Sequence, residues 1–249
     1  EPCRVLVFER AGGVWSATAT LSENGSGTRS VALAADGTRH VLSGDGTLTS
    51  FGGSADRSLD LELKATAIAT AVSMDEAASL LWACDSLGDV HRIDLSDDSV
   101  TTVSTGFTCY RPPVVDVAGD QVLVTAQEGY KLISLDRSTG EVQHSAFAIA
   151  TSTGSGLAYP VVGDISVHGL WVAHGVDGGV SLYDAETLEH VRSFEAGQNT
   201  QAVRFDADRG LVWLADFDSN RVLGLDWVTG VAEEEVWVAR PTDLFLLEE

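Results

Sequence analysis

The sequence predicts an all-β protein built from repeated units, and three observations support this prediction. Five-residue strands of alternating apolar character recur and close on Asp94, Asp136, Asp184 and Asp226. Two weaker copies end at Glu9 and Gly52, so the marks at 9, 52, 94, 136, 184 and 226 are separated by 43, 42, 42, 48 and 42 residues. No window shows a sustained helical period. Short strands at regular spacing, with Gly and Asp turns between them, predict a six-bladed β-propeller.

Each repeat contains four strands in a fixed order. In the last full repeat these strands are AVRFDAD, the more hydrophobic LVWLAD, the marker strand VLGLD and, after a polar turn, VAEEEVWV. Such a unit cannot bury both of its faces alone. We therefore expect the units to stack against one another and to form the core between them.

The whole chain, 1–249, is predicted to be a single propeller domain. Five blades are expected at about 28–64, 65–104, 108–147, 157–196 and 198–238, and a closing blade at about 1–22 plus 240–249, shared by both termini. In that closing blade Asp243–Glu248 would form the innermost strand, and Arg4–Glu9 and Val14–Leu21 the outer strands. No segment of the sequence corresponds to the second strand of this closing blade. Three explanations are open: the chain is cut short, the blade has only three strands, or a partner supplies the missing strand.

The amino-acid sequences of two repeats resemble those of known propeller families. GLVWLADFDSNRVLGLD (Gly210–Asp226) is similar to an NHL repeat, and GLWVAHGVDGGVSLYDAETLEHVRSF (Gly169–Phe194) resembles the YVTN-type repeats of surface-layer and periplasmic propellers. The resemblance implies the propeller fold. It implies no particular activity, because propellers include lactonases, lyases, adhesion modules and scaffolds.

Charge and apolar content exclude two classes of partner. The chain has 37 Asp and Glu against 15 Lys and Arg, a formal net charge of -22, which disfavours nucleic acids and anionic lipids. No stretch approaches the roughly 18 continuous apolar residues of a membrane span. We therefore predict a protein partner, no nucleic acid and no membrane span, and the sequence assigns no oligomeric state.

Cysteine usage and the first residue point to an extracytoplasmic location. The chain begins at Glu1 without Met, which indicates a removed signal peptide or a trimmed chain. Among Cys3, Cys84 and Cys109, one disulfide would suit a secreted, periplasmic or cell-surface protein. Because Cys84 falls in an apolar strand and is expected to be buried, the predicted pair is Cys3 with Cys109. Three free thiols in a reducing compartment are the alternative.

The loops that lead into the innermost strands are the predicted ligand-binding region. In this fold those loops surround the mouth of the central channel, and Tyr and Arg there suit an anionic or sugar-like ligand. The alternative is that they cap and rim the channel without a ligand. The candidate residues are Tyr110, Arg111, Tyr159, Asn199, Gln201, Arg240 and Asp243.

A metal site is a second hypothesis. Counting six residues back from Val90, Leu132, Val180 and Val222 places Cys84, Ala126, His174 and Asp216 at equivalent points. His174 and Asp216 would then lie on adjacent blades, with His168 near in sequence, and two His and one Asp suit a transition metal. The alternative is that Asp216 holds a turn, as the corresponding Asp does in NHL-like repeats.

No catalytic residues are predicted. The chain has no zinc-binding cysteine pair and no GxSxG elbow. Propellers of the gluconolactonase and paraoxonase kind hold a divalent cation with Glu, Asn and Asp, but of the three Asn here only Asn199 lies at a channel loop. The predicted function is therefore a non-enzymatic binding or scaffold module for protein partners or a surface assembly, without a cofactor. The alternatives are a metal-dependent lactonase-like hydrolase and a periplasmic carrier, with calcium or zinc as the metal.

Overall fold

The structure is a computed structural model. It describes residues 4–11, 14–22, 27–52, 56–127, 129–149, 160–175, 178–241 and 244. Every regular element in these ranges is a β-strand, and all strand pairs are antiparallel. The described residues include no helix long and apolar enough to cross a membrane.

The strands form one two-stranded sheet and five four-stranded sheets, each made of consecutive strands. The two-stranded sheet contains β1 (Arg4–Ala11) and β2 (Val14–Ser22). The first four-stranded sheet contains β3 (Thr28–Leu33), β4 (Arg39–Ser43), β5 (Thr47–Phe51) and β6 (Arg57–Asp60). The second contains β7 (Ala69–Asp75), β8 (Leu80–Asp85), β9 (Asp89–Asp94) and β10 (Val100–Ser104). The third contains β11 (Val114–Asp116), β12 (Gln121–Ala126), β13 (Lys131–Asp136) and β14 (Val142–Phe147). The fourth contains β15 (Pro160–Ser166), β16 (Gly169–His174), β17 (Val180–Tyr183) and β18 (His190–Phe194). The fifth contains β19 (Thr200–Asp206), β20 (Leu211–Asp216), β21 (Arg221–Asp226) and β22 (Ala232–Trp237).

The second strand of each four-stranded sheet is buried over all or nearly all of its length, because both of its faces are covered. Every residue of β8, β12 and β16 is buried. The apolar side chains form layers between successive sheets, such as Leu42 with Leu81 between the first and second sheets and Trp171 with Leu214 between the fourth and fifth. The core is thus a series of layers between sheets, as expected for units that stack on their neighbours.

The marker aspartates close the turn between the third and fourth strands. Oδ1 of Asp136 accepts hydrogen bonds from the N–H groups of Ser138 and Thr139 at 2.9 and 2.7 Å, and Asp184 and Asp226 make the same bonds in their own sheets. The Ser138 hydroxyl and these N–H groups lower the pKa of Asp136 to about 2. The repeated Asp therefore marks a turn that its own side chain stabilises.

The first strands of successive sheets contact one another in order, from β3 to β7, β11, β15 and β19. Because the strands of each sheet alternate in direction, all first strands begin on one face and end on the other. We call the face where first strands begin and second strands end the upper face, and the opposite one the lower face. The marker turns lie on the lower face, and the connections between sheets lie on the upper face.

Polar side chains tie neighbouring sheets together. Arg137, in the turn after β13, makes a bidentate pair with Asp75 at the end of β7, with N–O distances of 2.5 and 2.7 Å. Gln121 donates to the carbonyl of Ala185 at 2.9 Å across the next interface. At the following interface Asp164 accepts the N–H of Phe205 at 2.8 Å, and burial raises the pKa of Asp164.

The structure describes five four-stranded sheets rather than six complete blades. The sheet of β1 and β2 falls where the N-terminal part of the predicted closing blade was expected. The C-terminal strand predicted at Asp243–Glu248 lies, apart from Leu244, outside the described residues. The count of six remains a prediction.

Candidate functional site

Three of the predicted channel-mouth residues, Arg111, Asn199 and Gln201, lie on the upper face, where β11 and β19 begin. Cys109 fixes the segment before β11, since it is fully buried, pairs with Ala126 across an isolated bridge, and accepts a hydrogen bond from Thr70 Oγ1 at its carbonyl at 2.6 Å. Two residues later comes Arg111, whose backbone is restricted to extended conformations because Pro112 follows. The sequence thus places the Arg111 side chain on a short, anchored segment.

Arg111 reaches a strand of a non-adjacent sheet. Its Nη2 donates to Oε1 of Gln201 in β19 at 2.8 Å. Gln201 Nε2 in turn donates to Oδ1 of Asn199 at 2.5 Å. Three of the predicted residues are therefore joined in one hydrogen-bonded group, which we call the mouth group: Arg111, Gln201 and Asn199.

The guanidinium of Arg111 has no carboxylate partner among the described residues. By contrast, Arg57, Arg137 and Arg221 each pair with at least one carboxylate. A guanidinium carries five N–H donors, and Gln201 takes one of them. In a protein with a net charge of -22, this leaves a partly buried cation able to bind a carboxylate or another oxygen-rich anion.

Asp216 positions the loop that carries the mouth group. It is fully buried at the end of β20, and its Oδ1 accepts the N–H groups of Gln198 and Asn199 at 3.0 and 3.4 Å. Burial raises the pKa of Asp216, but the bonds from Gln198, Ser219 and Arg221 outweigh it, and the pKa is held below its ordinary value. Its carboxylate therefore stays ionised and holds the loop.

A glycine allows this close approach. Gly197 has a φ of +78°, and a Cβ there would lie 2.8 Å from the carboxylate carbon of Asp216. Only glycine combines this left-handed backbone with the required space. These contacts agree with the turn-holding alternative for Asp216.

The predicted metal ligands are not brought together. His174 is fully buried at the upper end of β16, 2.7 Å from Ser181 Oγ through Nε2, and burial lowers its pKa to about 3. His168 precedes β16 on the lower face, where its ring stacks on Trp227 at 3.8 Å. The strand between the two histidines spans roughly 20 Å at about 3.3 Å per residue. No group of three or more His, Cys, Asp or Glu in the described part of the chain has an arrangement that could hold a metal.

Of the other four predicted residues, two lie on the upper face and two lie outside the described part of the chain. Tyr110 is adjacent to Arg111 and is 41% exposed. Arg240 follows β22 and packs against the turn between β20 and β21. Its N–H donates to Asn220 Oδ1 at 3.1 Å, and its guanidinium lies 5.4 Å from the ring centre of Phe217. Tyr159 and Asp243 lie outside the described residues.

The predicted disulfide is wrong in one partner. Cys109 is bonded to Cys84, with a Cα–Cα distance of 5.7 Å, so it does not pair with Cys3. The prediction treated burial of Cys84 as an argument against pairing, but the end of a buried strand is a suitable place for a disulfide when the partner is buried too. Cys84 and Cys109 are 1% and 0% exposed.

Sequence reasoning missed Asp85, which is the counterpart of Asp216 in the second sheet. Cys84 pairs with Val90, whereas Ala215 pairs with Val222, so the turn of the second sheet is one residue shorter and Asp85 aligns with Asp216. Oδ1 of Asp85 accepts the N–H groups of Leu87 and Asp89 at 2.8 and 2.9 Å. The Asp that follows Cys84 was the available signal, and counting a constant six residues concealed it.

Five four-stranded antiparallel sheets that contact one another in order through their first strands define a β-propeller. Among solved structures the chain is similar to BamB from Moraxella catarrhalis, with a TM-score of 0.63 and 18% identity over 84% of this chain. The chain spans 61% of the length of that BamB chain, and at this identity the likeness shows the fold alone. No family model and no curated protein matches the chain.

Proposed function

We propose that this protein is an extracytoplasmic β-propeller that binds a protein partner and acts as a scaffold without catalysing a reaction. The observation that carries the proposal is the mouth group, in which Arg111 is fixed by Gln201 and has no carboxylate partner among the described residues. The partner is proposed to place a carboxylate, from an acidic side chain or a chain end, against this guanidinium.

The composition of the upper face supports a protein partner. Tyr and Arg are enriched in the energetically important parts of protein interfaces. Here Tyr110 is exposed directly beside Arg111. An already positioned Arg loses less side-chain freedom when it binds, which favours affinity.

The disulfide between Cys84 and Cys109 supports the extracytoplasmic part of the proposal. Disulfides persist in oxidising compartments and are rare in the cytosol. The finer architecture is part of the same proposal: six blades of the NHL or YVTN type, with β1 and β2 contributing to the closing blade. The regular spacing of the marker residues supports it.

The lactonase-like alternative has less support from the described contacts. The amide of Asn199 is bonded to Gln201, the amide of Gln201 to Arg111, and the carboxylate of Asp164 to a backbone N–H. Each of these three side chains, which could otherwise ligate a channel cation, thus has another partner. Native mass spectrometry before and after a chelator tests the alternative, since a hydrolase or metal carrier requires a tightly bound ion.

A photo-crosslinking residue at Tyr110 tests the proposed function. We expect a protein adduct from an extracytoplasmic extract of the source cells, lost when Arg111→Gln is added and retained when Arg39→Gln is added as a control on the lower face. A crosslinker at Val231, which is exposed on the fifth sheet, should not give the same adduct. Absence of an adduct at Tyr110, or its survival in Arg111→Gln, would contradict the proposal.

A further inference from the structure

A groove of about 750 Å³ lies on the lower face between the third and fourth sheets. Asp116 and Gln121 line it from the third sheet, together with His144 of β14. The turn after β15 and the marker turn from Asp184 to Glu186 line it from the fourth sheet. We call it the lower-face groove. It lies on the face opposite to the mouth group.

The floor of the groove is preformed. Gln121 is 3% exposed, and its Nε2 donates to Asp116 Oδ2 at 3.0 Å and to the carbonyl of Ala185 at 2.9 Å. Its Oε1 accepts from Ser134 Oγ at 2.6 Å. Every polar atom of this amide is satisfied within the protein, so the two sheets are fixed relative to each other and the groove needs no rearrangement to receive a ligand.

The charge of the groove is negative. Three carboxylates line it, those of Asp116, Asp184 and Glu186, and no Lys or Arg does so among the described residues. Glu186 is exposed, and its carboxylate makes no hydrogen bond or ion pair within the described part. A concave surface lined by one sign of charge concentrates its field on the space inside.

Exposed apolar side chains flank the groove. Val117 follows Asp116 and is 53% exposed, and Val167, at the tip of the turn after β15, is 89% exposed. Valine at the tips of two turns on either side of a polar groove exposes apolar surface without covering any core. Apolar surface rimming a polar site is typical of a protein-binding region.

We propose that the lower-face groove docks a short segment of a protein partner that presents a Lys or Arg side chain between apolar residues. The cation enters between Glu186 and Asp116, and the flanking apolar side chains cover Val117 and Val167. Charge complementarity selects this occupant, because the groove offers carboxylates and no cation. The inference goes beyond the proposed function, since it concerns the other face and a segment of opposite charge.

Selection of a random short-peptide display library on the immobilised protein tests this inference. We expect enrichment of peptides with a basic residue between apolar ones, and NMR shifts from a selected peptide confined to residues around the groove. Glu186→Lys should weaken that peptide at least tenfold and Val167→Ser several-fold. Asp208→Lys, an exposed carboxylate on the same face of the fifth sheet, should leave it unchanged.

Three results would overturn the inference: no enriched peptide, enrichment of acidic peptides, or equal binding by the Glu186→Lys and Asp208→Lys variants. Equal affinity for arginine amide without flanking residues would remove the role of Val117 and Val167. Arg111→Gln should not change peptide binding, so failure here is distinguishable from failure of the proposed function on the upper face.

Discussion

Arg111 Nη2 lies 2.8 Å from Oε1 of Gln201, a residue 90 positions later in the chain. The first belongs to the segment leading into the third sheet and the second to the first strand of the fifth. The bond therefore joins two sheets that are not neighbours along the chain. The first strands of successive sheets contact their neighbours, whereas this pair links the third and fifth sheets on the upper face.

Coupling between these two residues is expected to be measurable. In a double-mutant cycle with Arg111→Ala and Gln201→Ala, the interaction should contribute about 1 kcal/mol to the free energy of unfolding, because one partner is charged and both are partly buried. Urea unfolding of the four proteins measures it. If the two single substitutions change the free energy of unfolding by amounts that sum to the double-mutant change within about 0.3 kcal/mol, the bond contributes nothing measurable.

Removing the disulfide should destabilise the protein. Cys84 and Cys109 are 25 residues apart, and opening a loop of that length costs about 3 kcal/mol of stability. The measurement is urea unfolding of the Cys84→Ala/Cys109→Ala double variant, with Cys3→Ala as the control that should leave stability unchanged. In the oxidised, denatured protein, thiol alkylation should modify Cys3 alone, and labelling of all three cysteines would contradict the assigned pair.

Arg137→Met should be strongly destabilising. The Arg137 side chain is 13% exposed and that of Asp75 is 0% exposed, so the variant leaves a buried carboxylate without its cation. Breaking a buried pair in this way costs about 3 kcal/mol. Arg209→Met, which removes an exposed pair with Glu234, is the control and should cost under about 1 kcal/mol. Similar losses of stability in both variants would argue against the structural role of the Arg137 pair.

His174 should make stability depend on pH. Burial lowers its pKa from 6.5 to about 3 in the folded protein, so the unfolded chain takes up the proton first. The free energy of unfolding is therefore undiminished above pH 6.5 and falls towards pH 3, by about 1.4 kcal/mol per pH unit from this group. Burial lowers the pKa of His40 and His190 in the same direction.

The His174 contribution can be isolated by substitution. In His174→Gln, the slope of the free energy of unfolding against pH should be smaller between about pH 4.5 and 6.5, a range above the titration of most carboxylates. His144→Gln, at an exposed position in β14, is the matched control and should retain the wild-type slope. An unchanged slope in His174→Gln would rule out the assigned origin.

The features predicted from sequence are those that depend on local pattern. The closing Asp of each marker strand predicted a turn correctly, since Asp136 bonds to N–H groups two and three residues ahead. Grouping Arg111, Asn199 and Gln201 was possible because all three lie just before or at the start of a first strand. The metal hypothesis relied on closeness in sequence, but β16 lies between His168 and His174 and places them at opposite ends of the strand.

Other features depend on contacts that no periodicity encodes. The pairing of Cys84 with Cys109 depends on how the third sheet packs on the second. The lower-face groove depends on Gln121 meeting the carbonyl of Ala185, 64 residues away, across a sheet interface. Alternation of apolar and polar residues predicts which side of a strand is covered, but not which polar side chain will bridge to the neighbouring sheet.

The bond between Cys84 and Cys109 also bears on the order in which the chain acquires structure. The segment it closes contains β9 and β10, so both outer strands of the second sheet lie inside the loop. When the chain is synthesised or exported with its N-terminus first, all strands of the second sheet precede Cys109, and every strand of the third sheet follows it. If the disulfide forms at that stage, the second sheet is covalently stabilised before the later sheets fold, and each of them can then pack against a sheet that is already folded.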